Sequence, residues 1–286
     1  MPELPEVEVA ARNWRRWIGE TTKASQVKEA RVAPRARFLA RSLGPDGLEP
    51  IVGARVANVD RVGKHLLITI ARGRDRLGLW SHLGMTGKWL RRAKGGDEPR
   101  FSHAQIVLGD GATLHYCDAR RLGRLRLVPG AAFEDVPTIK ALGPDALRDG
   151  VDAAKLHARL ARVRLPIKVA LLDQKILAGV GNIQASESLF RARLDPRRAA
   201  NALTRAEVGR LARGIRDSIA FTLAQFDEAG ADRGDGEIVY VEENRKANPF
   251  LVYGRGGLPC PRNKRHSIAR IPQAGRSTFF CPDCLK

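Results

Sequence analysis

The chain has 286 residues, 43% of them hydrophobic, which is material for two ordinary domains with a core each. Fifty Lys and Arg against 31 Asp and Glu leave a formal net charge of +19, so the expected partner is a polyanion, nucleic acid first. No run approaches the roughly 18 apolar residues of a spanning helix, and the opening MPELPEVEV is acidic with no apolar signal core; the reading is a cytoplasmic protein with no membrane partner.

Residues 3–18 space Val7, Ala10, Ala11, Trp14, Trp17 and Ile18 by three and four, which predicts an amphipathic helix on a core. From about 48 to 128, short runs rich in Val, Ile and Leu (IVGARVANV, HLLITIA, GLWSHLG, AQIVLG, TLHYC, RLRLV) alternate with Gly, Asp and Arg clusters and predict a β-sandwich. Residues 91–99, with Gly95 and Gly96, read as a polar hairpin loop. PGAAFEDVP carries two prolines and no periodicity, as a domain boundary does. Helical spacing then governs 153–163, 166–174, 183–191 and 204–225, broken by Gly179, Gly181 and Asn182. Residues 227–248 are polar and weakly periodic, a long loop of the kind that carries function or disorder.

Four cysteines do not make a disulfide scaffold in so long a chain. Cys117 stands alone and reads as a small buried hydrophobe, while Cys260, Cys281 and Cys284 cluster near the C-terminus.

The chemistry is densest at the start. Removal of Met1 would expose the secondary amine of Pro2, and an α-amino group with a pKa of about 7.7–8.0 is partly neutral and nucleophilic at physiological pH. Attack on an anomeric carbon by such an amine gives an iminium, and Glu3 is near enough in the chain to exchange protons with the sugar oxygen or the departing base. The same residues also suit the first turn of a helix, where proline fits and acids complement the dipole.

MPELPEVE, GKHLLI, HLGMTG, DARRLG, LGPDAL, GVGNIQASESLF, VYGR and GRSTFFCPDC stand in an order and spacing that resemble the formamidopyrimidine-DNA glycosylase and endonuclease VIII family over nearly the whole chain. The resemblance implies an α+β protein: an N-terminal β-sandwich with an N-terminal helix, a C-terminal helical domain with a helix-two-turns-helix element, and a zinc-ribbon-like β-hairpin. Its expected divisions are 1–134, a linker at 135–149, 150–256 with a lesion-capping loop at 227–249, and 257–286. DNA would lie in the cleft between the two domains.

The implied roles follow residue by residue. Pro2 is the nucleophile, Glu3 its proton-transfer partner, and Lys64 reaches phosphate and the lesion site. Met85, Arg120 and Leu122 enter the duplex where a nucleotide is everted, as it must be for its glycosidic bond to be reached. Leu122 stands where glycosylases of the formamidopyrimidine type usually have Phe, so it can wedge but stacks less well. Asn182 and Arg276 contact phosphate. Glu187 holds the two-turn element against the catalytic site, and Gln184 stands where Tyr is common. In the ribbon the usual two C-x2-C pairs become Cys260, Asn263, Cys281 and Cys284, with His266 as a substitute fourth ligand. Without a metal, Ile268, Ile271, Phe279 and Phe280 would have to hold the hairpin.

The implied activity is a monomeric, bifunctional DNA glycosylase and AP lyase of base excision repair. It removes 8-oxoguanine and formamidopyrimidines from damaged double-stranded DNA through an iminium on Pro2 and β,δ-elimination. Structural zinc is the one cofactor in question; no catalytic metal or redox cofactor is required. MPELPE and DARR favour this branch over an endonuclease VIII-like enzyme for oxidised pyrimidines, and intact Pro2, Glu3 and Lys64 argue against a lesion-binding protein that does not cut.

Overall fold

Helix α1 (Leu4–Gly19) buries Leu4, Val7, Ala10, Ala11, Trp14 and Trp17, the stripe that the spacing predicts. In this computed structural model residues 2–19, 23–228 and 248–285 are described. The chain divides into two compact units, Met1–Lys140 with Phe226–Tyr240, and Ala141–Gln225 with Val241–Lys286.

The first unit holds two four-stranded antiparallel sheets. One contains β1 (Val27–Val32), β5 (Lys88–Arg92), β6 (Ser102–Leu108) and β7 (Thr113–Cys117) in the order β1-β6-β7-β5. The other contains β2 (Arg55–Val62), β3 (His65–Arg72), β4 (Asp75–His82) and β8 (Arg124–Pro129) in the order β2-β3-β4-β8. The sheets meet through Trp89 on β5, whose indole N–H donates to the Ser81 hydroxyl of β4 at 3.1 Å while Trp14 of α1 packs edge-on against its ring at 5.0 Å. β3 is buried along nearly all its length, which is why it reads HLLITIA instead of alternating.

Two features differ from the sequence reading. β1 and a short helix α2 (Arg37–Leu43) precede the region where structure was expected. β1 is an edge strand with a bulge between Val27 and Glu29, and its charged residues blunt the apolar alternation that would have revealed it. Residues 91–99 do not close a hairpin either: β5 and β6 both pair with β7, which lies between them.

The boundary segment is structured. Phe133–Asp135 form a 3-10 turn and α3 (Pro137–Lys140) follows. The Phe133 ring lies so close to Gly78 on β4 that a Cβ there would stand 2.6 Å from it. The division between the units falls after Lys140, inside the segment expected as a linker.

In the second unit α4 (Ala153–Leu160) starts on an Asp152 cap that accepts the Lys155 N–H at 2.9 Å. α5 (Ile167–Ala170) is shorter than the predicted 166–174. Beyond it the Gln174 amide stitches the turn, donating to the Leu172 and Val180 carbonyls and accepting the Gly179 N–H. α6 (Asn182–Ala192) follows directly. α7 (Arg205–Glu228) opens on a reciprocal Thr204–Glu207 capping box. The C-terminal strands β9 (Ala269–Gln273) and β10 (Arg276–Phe280) form a hairpin over Ala274 and Gly275, both at positive φ as a tight primed turn needs. Its apolar face joins Phe190, Val252, Cys260, Ile268, Phe279 and Cys281 in one cluster, from which Ile271 and Phe280 are absent. Among the described residues no helix is long and apolar enough to cross a membrane.

Candidate functional site

Pro2 and Glu3 are both buried at the entrance to α1. The Glu3 carbonyl accepts the Val7 N–H, and the Glu3 N–H donates to the Glu6 carboxyl at 2.9 Å, so Glu6 caps the helix from its first turn. The helix start therefore fixes the main chain of Glu3, next in the chain to Pro2. Burial, and then the neighbouring Glu3, push the Glu6 carboxyl up to about 7.

Lys64 occupies the two-residue turn between β2 and β3, with Gly63 at φ +57. The turn is tied to α1 by Arg61, only 3% exposed, which donates to the Glu8 carboxylate at 2.9 Å and to the Gly63 carbonyl at 3.1 Å. Behind it lies an imidazole pair. His65 accepts the Trp80 indole N–H at 3.0 Å, and burial with its neighbour His82 holds its pKa down at about 3. His82, lowered to about 4 by burial and by Lys64, accepts the Gly84 N–H at 3.1 Å. Both rings are neutral at physiological pH, and His82 links the Lys64 neighbourhood to the loop of Met85.

Met85 is half-buried, while Arg120 and Leu122 are exposed. The structure brings their two loops together: a Cβ at Gly84 would lie 2.5 Å from the Leu122 main chain. Leu122, 50% exposed, is an apolar side chain presented outward.

In the second unit Asn182 opens α6, 7% exposed, and its amide donates to the Ser277 carbonyl at 3.0 Å, next in the chain to exposed Arg276. These two expected phosphate contacts are thus neighbours. Glu187, which the resemblance gives as holding the two-turn element in place, makes fastening contacts here. It is fully buried, and its carboxylate accepts the N–H groups of Leu251, Val252 and Tyr253 at 3.1, 2.8 and 3.0 Å, fastening that segment to α6. Gln184 is likewise buried, accepting from Ser218 and donating to Thr222 of α7. Residues 229–247, most of the expected capping loop, lie outside the described residues.

Cys117 is buried and its thiol is pushed up to about 12 by burial, as suits a core residue. Cys260, Cys281 and Cys284 bring their sulfurs within 4.8 Å of one another, a set that could hold a structural zinc ion. His266 points inward: its Nδ1 lies 3.3 Å from the Cys284 sulfur and 3.8 Å from that of Cys281, and the Cys260 and Cys284 sulfurs are 3.6 Å apart. Tetrahedral zinc with thiolate and imidazole donors spaces them by about 3.5–3.8 Å. The His266 Nδ1 thus stands near ligand spacing from the sulfurs of Cys281 and Cys284, and Cys260 near ligand spacing from Cys284, an arrangement that could hold the ion. Asn263, at the usual cysteine position, hydrogen-bonds the far ring nitrogen of His266 at 3.0 Å.

Glu6, Arg61, His82 and Asp118 were not singled out from the sequence. Glu6 left a signal there as an acid three residues after the cap position, and His82 and Asp118 stand in the HLGMTG and DARRLG motifs; Arg61 left none.

The model of the formamidopyrimidine-DNA glycosylase N-terminal domain matches residues 1–125, and that of the formamidopyrimidine-DNA glycosylase H2TH domain matches 142–229. The chain belongs to the formamidopyrimidine-DNA glycosylase family. Curated relatives of that name from Paracoccus denitrificans and Cereibacter sphaeroides are 38% and 39% identical, each alignment covering 99% or more of both chains. The crystal structure of MutM (Fpg) from Thermus thermophilus is 33% identical with a TM-score of 0.78 over 99% of this chain and 98% of that one. The Lactococcus lactis Fpg in complex with abasic-site DNA is 26% identical, with a TM-score of 0.82 over all of both chains.

Because folded Glu6 keeps its proton to about pH 7 and an unfolded glutamate releases it near 4.5, the native state holds the extra proton between these values and loses stability as pH rises through them. Glu6→Gln removes that loss. Thermal unfolding is expected to show the variant gaining on the wild type from about pH 5 to about pH 8; a gap that does not change with pH would contradict a buried, proton-holding carboxyl.

Proposed function

We propose that the chain is a bifunctional DNA glycosylase and AP lyase of base excision repair, acting as a monomer on oxidised purines in damaged duplex DNA. The observation that carries this reading is the buried pair Pro2 and Glu3 at the head of α1, with the Lys64 turn tied to the same helix through Arg61.

Once Met1 is removed, the Pro2 amine attacks the anomeric carbon of the everted nucleotide and the bond to the base breaks. The departing base takes up the proton that the amine loses, and Glu3 supplies a proton to the sugar ring oxygen, whose bond to the anomeric carbon opens as the iminium forms. Loss of a proton from the adjacent sugar carbon then expels the 3′ phosphate, and a second elimination expels the 5′ phosphate. Lys64, Asn182 and Arg276 hold phosphates, while Met85, Arg120 and Leu122 fill the space left in the stack. Leu122 offers no π-face, so discrimination of the opposite base is weaker than with an aromatic wedge.

The ribbon holds zinc through Cys260, Cys281, Cys284 and the Nδ1 of His266. The ion would fix the hairpin that carries Arg276; it takes no part in the reaction.

Borohydride is expected to trap the protein covalently on an abasic-site duplex. Pro2→Gly should nearly abolish trapping, and Glu3→Gln should lose base excision while keeping some cleavage of preformed abasic sites. Undiminished trapping in both variants would remove the assignment.

Elemental analysis should find stoichiometric zinc in the wild type and its loss in His266→Ala, whereas Asn263→Ala should keep the metal but release it to a chelator about 10–100-fold more readily, as loss of an outer-shell partner does. Full zinc retention in His266→Ala would show that the imidazole is not a ligand.

A further inference from the structure

The side chains expected to enter DNA sit on two loops, 83–87 and 118–123, and each loop crosses between the two sheets. The first leads from β4 to β5, the second from β7 to β8. Strand pairing holds the feet of these crossings, since β4 pairs with β8 and β5 with β7. Their apices need some other tie.

That tie is Asp118. It is fully buried, and among the described residues no cation pairs with it. A buried carboxylate is costly unless hydrogen bonds replace its water, and here they come from both loops. One carboxylate oxygen accepts the Thr86 hydroxyl at 2.5 Å and the Arg120 N–H at 3.2 Å; the other accepts the Gly123 N–H at 2.8 Å. The Thr86 oxygen in turn accepts the Arg120 N–H at 3.1 Å. The main chain of Asp118 is itself pinned, its N–H donating to the Phe101 carbonyl at 3.1 Å and its carbonyl bonded by the His103 ring at 2.9 Å. Arg121, between two of the wedge residues, adopts φ +57, a left-handed conformation that a non-glycine residue holds only when its surroundings dictate it.

We propose that Asp118 and Thr86 are positioning residues that join Met85, Arg120 and Leu122 into one rigid wedge, and that their hydrogen bond serves eversion of the damaged nucleotide, not the chemistry at the anomeric carbon. The proposal rests on the glycosylase reading above. Thr86 makes the only one of the three carboxylate contacts that comes from the Met85 loop. Without it Asp118 still organises its own loop, but Met85 is no longer held in register with Arg120 and Leu122. A wedge loosened in this way has to be ordered while it enters the duplex, and that cost falls on eversion.

The test is Thr86→Val, which keeps the shape and removes the hydroxyl, with Thr86→Ser as the conservative rescue. Two substrates separate the steps: a duplex with 8-oxoguanine beside the fluorescent base 2-aminopurine, and a single-stranded abasic oligonucleotide that needs no wedge. Thr86→Val should slow both the stopped-flow fluorescence change and single-turnover excision on the duplex by about tenfold, the weight of one hydrogen bond to a charged group. Cleavage of the single strand should stay at the wild-type rate, and Thr86→Ser should restore the duplex rates. An unchanged fluorescence phase in Thr86→Val, or an equal loss on both substrates, overturns the proposal. A wild-type protein that cleaves neither substrate would instead overturn the glycosylase reading on which it rests.

Discussion

The reactive end of the first unit depends on an ion pair that scarcely meets water, Glu8 on α1 with Arg61 on β2. A chain terminus is ordinarily the least ordered part of a domain, and an amine there could not be held to a reacting carbon. The Arg61 guanidinium overcomes this by bonding at once to α1, which begins two residues after Pro2, and to the carbonyl of Gly63, beside Lys64. Desolvating both charges is expensive, and the pair returns that cost only because its geometry is close and a further hydrogen bond satisfies the guanidinium. What the arrangement secures is placement of the candidate nucleophile and the candidate phosphate-binding lysine on one frame, the kind of preorganisation from which large rate factors arise.

Electrostatics around that frame run against the charge of the whole chain. The protein carries a formal +19, yet its N-terminal turn places Glu3 and Glu6 together, both buried. A second ionised carboxylate there would stabilise the ammonium form of a nearby amine and blunt it as a nucleophile. With Glu6 held protonated up to about pH 7, the proposed acid-base role of Glu3 would meet no competing full charge beside it. The neutral imidazoles of His65 and His82 act in the same sense: they fill the space next to Lys64 with polar groups that do not add to the local positive charge.

Elements with a strong apolar period were legible from the sequence. Trp14 and Trp17 announce α1, and HLLITIA announces a central strand. β1 was not legible, because an edge strand exposes one side and fills it with charge, and the pairing of β5 with β7 was not, because local sequence does not encode which strand slides between two others. The site divides along the same line. Pro2, Glu3 and Lys64 stand out as candidates because their neighbours in the chain form motifs. Arg61 acts by reaching residues distant in sequence, and an isolated Arg looks the same whether it is solvated or buried; Asp118 opens the DARRLG motif, but its bond to Thr86 of another loop cannot be read there. Glu187 was singled out through a motif match, and its burial and three amide partners show that it fastens residues 251–253 to α6.

The ribbon shows how far a ligand set can drift while its architecture stays. Asn263 offers a neutral amide oxygen, a poor donor for zinc beside three thiolates, and read along the chain its presence argues for a lost metal. In three dimensions the residue is one link further out. Its amide bonds the distal nitrogen of His266, its other end accepts the Arg265 N–H, and the His266 N–H donates back to the Asn263 carbonyl, so the turn orients the imidazole toward the sulfurs. Metal-binding imidazoles are commonly oriented through the nitrogen that does not face the ion, so in the proposed zinc site the same turn would supply the donor that Asn263 does not. Arg262 spreads over the Phe190 ring at 4.2 Å and bonds the Arg191 carbonyl, which seats that turn on α6. The same helix bonds β10 through Asn182. Cysteine cluster, hairpin and helix start are thus one connected piece, and the position of Arg276 depends on all three.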